Sequence, residues 1–83
     1  MTIKELNFVK TSLYFQICRL ECGSMGLEDL REKVAGIADH LMPKGYLRGW
    51  LSSWAKGGDH STIDRLRSFV DGISGTIEEL ENE

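Results

Sequence analysis

The 83-residue sequence predicts an all-α protein, a compact bundle of four main helices closed by a short fifth turn. In every patterned stretch the apolar residues recur three and four apart, the spacing of one helix face. Glycines mark the breaks between those stretches, and no stretch alternates apolar with polar as a half-buried strand would. A chain this short makes one domain, 1–83. It buries a modest share of its surface, so association with another chain is a natural source of added stability.

The first helix is expected over about Ile3–Cys22. Thr2-x-x-Glu5 is a capping box, in which hydroxyl and carboxylate each satisfy a free backbone N–H. Ile3, Leu6, Val9, Leu13, Ile17 and Leu20 form one stripe. Phe8, Phe15, Cys18 and Cys22 form a second strip on the far side. A helix apolar on two faces belongs at the centre of a bundle or at a seam between subunits. Both faces are therefore expected to be buried, Phe15 included, and a homodimer through this helix is expected. Gly23 ends it.

The second helix is expected over about Leu27–Leu41, with Glu28 and Asp29 in its positive first turn. Leu27, Leu30, Val34, Ile37, Ala38 and Leu41 give a single stripe, and Pro43 and Gly45 then break the chain. The third spans about Tyr46–Ala55, with Tyr46, Leu47, Trp50, Leu51 and Trp54 on one face and Gly57-Gly58 as the stop. Ser61-x-x-Asp64 reads as a second capping box and opens the fourth. Ile63, Leu66, Phe69, Val70 and Ile73 are its apolar face. Gly75 is expected to stop it, leaving a short turn and an acidic tail from about residue 76.

Composition narrows the function. Hydrophobic content of 41% and charged content of 28% are those of a folded globular chain. The start MTIKELNF lacks the basic-then-apolar pattern of a signal peptide, and apolar runs are too short for a membrane helix. A cytoplasmic protein is expected. Cys18 and Cys22, four apart on a helix, are read as buried thiols and not as a disulfide. With His40 and His60 they could in principle complete a four-ligand zinc set. Zinc sites draw cysteines from tight turns and pair their histidines, which this spacing does not provide. No glycine-rich phosphate loop and no nucleophile with a base and an orienting group is present. No cofactor, no metal and no catalysis are expected.

The most informative stretch is Lys44–Gly57, KGYLRGWLSSWAKG. It holds both tryptophans, one tyrosine and three cations without an acid, in a chain of net charge −3. Large amphipathic rings beside cations are the residue types that carry interface energy. Tyr46, Arg48, Trp50 and Lys56 are the expected partner-binding surface, with Trp54 inward. The favoured function is a small regulatory or inhibitory module docking on a larger protein partner. Compact, acidic, motif-poor domains of this kind are typical of bacterial or phage-encoded modulators.

Leu51, Ser52, Trp54, Gly57, Thr62, Ile63, Leu66, Phe69 and Ile73 support an alternative. The string Leu51–Ile73 resembles the second half of the helix-turn-helix domains of phage-repressor-like transcription regulators, over about a quarter of the chain. The resemblance implies a DNA-binding regulator. Lys44, Arg48, Gly49, Ser52 and Ser53 would then face DNA.

Overall fold

The computed structural model describes residues Thr2–Glu83. Four helices follow one another: α1 (Ile3–Glu21), α2 (Leu27–Leu41), α3 (Tyr46–Ala55) and α4 (Ile63–Glu81). They pack into an all-α bundle of 39 × 25 × 22 Å. α1 lies against both α2 and α4, and α3 packs on α2. Among the described residues no helix is long and apolar enough to cross a membrane.

Local chemistry sets the helix ends. The Thr2 hydroxyl accepts from the Glu5 N–H at 3.1 Å, and the Glu5 carboxylate accepts from the Thr2 N–H at 3.0 Å. The bond from the Thr2 backbone holds the Glu5 carboxyl below its ordinary range. At the other end of α1, Gly23 sits at φ 82°. Its N–H donates to Leu20 O and the Ser24 N–H to Arg19 O, the paired closure that a left-handed glycine permits. Met42 is extended, as a residue before proline must be, and ends α2.

The turn from α3 to α4 is organised by Trp54, which is fully buried. Its indole N–H donates to Thr62 O at 2.9 Å, and its own carbonyl accepts the Ser61 hydroxyl at 2.8 Å. Ser61 is therefore not the helix cap. Its hydroxyl turns inward, and Thr62 caps α4 by accepting from the Arg65 N–H at 3.2 Å.

The inner stripes meet in one core. Leu6, Val9, Leu13 and Ile17 of α1 join Leu30, Val34, Ile37 and Ala38 of α2, Leu51 and Trp54 of α3, and Leu66, Val70, Ile73 and Ile77 of α4. α4 departs from expectation at its end. Gly75 does not stop it, and residues 76–81 are its last turns, neither a separate fifth turn nor a tail. Two glycines inside a helix cost about 1 kcal/mol each. Burying Ile73 and Ile77 and half-burying Leu80 returns more, at about 1.5–3 kcal/mol for each fully buried aliphatic chain.

The second strip of α1 is also corrected. Phe8 and Phe15 are each 58% exposed, Cys22 is exposed and Cys18 only half-buried. α2 and α4 both pack on the inner stripe, so within the chain α1 contributes one buried face.

Candidate functional site

α3 advances about 100° per residue, which decides where its side chains point. Leu51 and Trp54 turn to the core, and Leu47 is half-buried beside them. Tyr46 and Trp50, four apart, share the flank that faces α4. Tyr46 is 81% exposed. Trp50 is half-buried, its ring stacked on Phe69 at 4.5 Å between centroids and 8° between planes. The His60 ring meets it edge-on at 6.5 Å. Between α3 and α4 the rings of Tyr46, Trp50 and Phe69 line an open groove of about 400 Å³, with Arg65 and Thr76 on its α4 side.

Arg48 and Lys56 are not part of that groove. Arg48 lies on the opposite flank, where its guanidinium reaches Asp39 of α2 at 3.7 Å. Lys56 is the exposed C-cap of α3. The cation that does line the groove is Arg65. Sequence reading missed it because it is 15 positions from Trp50 along the chain and on another helix. Its signal was the Arg65–Phe69 spacing of four, which places cation and ring on one face of α4.

The residues singled out by the helix-turn-helix resemblance lie away from the core. Gly49 and Ser53 are exposed, Arg48 and Ser52 half-buried, and Lys44 is exposed just before the helix. Ser53 is hydrogen-bonded to His60 Nε2 at 3.1 Å, and Arg48 is paired as described.

The thiols and histidines do not converge. Cys22 is at the C-terminus of α1, where Sγ meets the Ser24 hydroxyl at 3.2 Å and donates to Arg19 O. The Ser24 hydroxyl and backbone lower its pKa. His40 lies at the far end of the bundle, beside Lys4, Phe8 and Leu41 in a groove of about 650 Å³ between α1 and α2. His60 is in the α3–α4 turn. Among the described residues no three histidines, cysteines or acids gather as a metal site would require.

No protein-family model, curated protein or solved structure matches the chain.

Proposed function

We propose that this chain is a non-catalytic binding module, a regulator or inhibitor that docks on a larger protein partner in the cytoplasm. The groove between α3 and α4 is its contact surface. One observation carries the reading: Tyr46 stands 81% exposed at the mouth of a groove whose wall is the Trp50–Phe69 stack and whose rim carries Arg65. A partner that covers Tyr46 and offers Arg65 a carboxylate gains aromatic burial and a charge-assisted bond together. In this reading the exposed outer side of α1 is a second contact surface, which binds another copy of the chain.

Tagged protein should retain a nuclease-resistant partner from lysate of its source cells. Tyr46→Ala should weaken that binding by about 2 kcal/mol, roughly thirtyfold, and Arg65→Ala by less. Both side chains are exposed, so melting should stay within a few degrees of wild type. Equal retention by all three proteins would remove the groove from the account.

A DNA-binding regulator is the second reading. It draws on the outward placement of Lys44, Gly49 and Ser53 on and before α3, with Arg48 at its edge. It predicts another order of effects: Lys44, Arg48 and Lys56 dominate, and affinity falls steeply with salt through counterion release. The Arg48–Asp39 pair weighs against it, because a carboxylate then stands beside the phosphate-facing cation.

A further inference from the structure

We propose that two copies of this chain pair through α1 in antiparallel register, with Phe8 against the partner's Cys18 and Phe15 against the partner's Thr11. The proposal rests on the reading that the outer side of α1 binds a second copy, and adds to it the direction and register.

Spacing supplies the first observation. Lys4, Phe8, Thr11, Phe15, Cys18 and Cys22 follow one another in steps of four and three along the whole of α1. That is the seam a second α-helix packs into. The seam lies opposite the Leu6–Val9–Leu13–Ile17 stripe that builds the core. Phe8 and Phe15 are 58% exposed on it, and Tyr14 is 62% exposed along its edge. In a pair, these three rings from each copy would remove on the order of 100 Å² apiece from water. Together that is about half of the ~1,200 Å² at the low end of specific interfaces, before the rest of the helix is counted.

Side-chain size and charge choose the direction. A parallel pair stacks ring on ring and small on small, and sets Lys4 against the partner's Lys4. An antiparallel pair centred on Leu13 places each phenylalanine against a small residue, the partner's Thr11 or the partner's Cys18, so large and small alternate along the seam. It also brings Glu5 beside the partner's Arg19, and two-fold symmetry repeats the pair at the other end. Each helix N-terminus then lies by the partner's C-terminus, with the macrodipoles opposed.

Cysteine cross-linking reads the register directly. Antiparallel pairing puts Lys4 opposite the partner's Cys22, so Lys4→Cys should form a covalent dimer under diamide. Each disulfide passes two electrons and two protons to that oxidant. Within one chain the two positions are 18 residues apart on a helix, about 27 Å, and cannot bridge. The expected result is a dimer band on a non-reducing gel for Lys4→Cys, lost in Lys4→Cys with Cys22→Ser, while wild type sediments as a dimer yet stays uncross-linked. Cross-linking of wild type through its own cysteines would show parallel pairing and overturn the register. So would a sedimenting dimer in which Lys4→Cys gives no bridge. A single 9.4 kDa species at every concentration would instead remove self-association itself, the reading beneath the register.

Discussion

Replacing Trp54 with alanine is expected to lower the melting temperature by about 12–40 °C, or to leave the chain largely unfolded at 25 °C. The indole is fully buried. Removing a buried tryptophan costs about 3–5 kcal/mol in lost burial and cavity formation. The loss of its N–H also leaves Thr62 O without its 2.9 Å partner at the start of α4. A domain of this length is stable by about 4–12 kcal/mol in total, so one substitution removes a large part of it. At roughly 4–8 °C per kcal/mol, the stated range follows. Trp54→Phe should recover part of the loss, since it keeps a six-membered ring in the core but forfeits the hydrogen bond and leaves the volume of the pyrrole ring empty. A drop of less than about 5 °C for Trp54→Ala, read by circular dichroism, would show that the α3–α4 turn does not depend on the indole.

Leu13→Ala should have the next largest effect, about 2–5 kcal/mol, or about 8–40 °C in Tm. Leu13 is at the middle of α1 and fully buried, in the core that α1 shares with α2 and α4. The cavity would open where three helices meet, and none can close it without losing contact with another. Chemical denaturation should show a lower midpoint with an unchanged slope. A loss below about 1 kcal/mol would mean that the packing around α1 collapses onto the gap.

The helices were legible wherever a stripe coincided with strong end signals. α3 begins and ends where the break at Pro43–Gly45 and the pair Gly57-Gly58 place it, and the Thr2–Glu5 box opens α1 as its spacing implies. The inward turn of Trp54 followed from its place on the stripe. Failures came where a distant contact overrode a local signal. Gly75 carries a stop signal, but Ile77 and Leu80 continue the buried stripe and hold the helix together. Ser61 and Thr62 are both good caps, and only the Trp54 carbonyl, seven residues back, decides between them. Arg65 could not be joined to Trp50 until the Trp50–Phe69 stack set α3 beside α4. On α1 the second strip was visible, but no local pattern says whether an apolar face meets its own chain or another.

Everything said of α1 turns on that distinction: one face folds the chain, and Phe8 and Phe15 on the other stand exposed outside the core. Thermal unfolding of Phe15→Ala, at a dilution where the chain is monomeric, tests it most directly. A ring standing 58% exposed on a helix surface adds little to the stability of a single chain, and alanine is the better helix former. The melting temperature is expected to stay within about 4 °C of wild type, the usual half a kcal/mol of a surface site. A fall of about 12 °C or more, the mark of a buried phenylalanine, would contradict it and place the second strip in the core of the monomer.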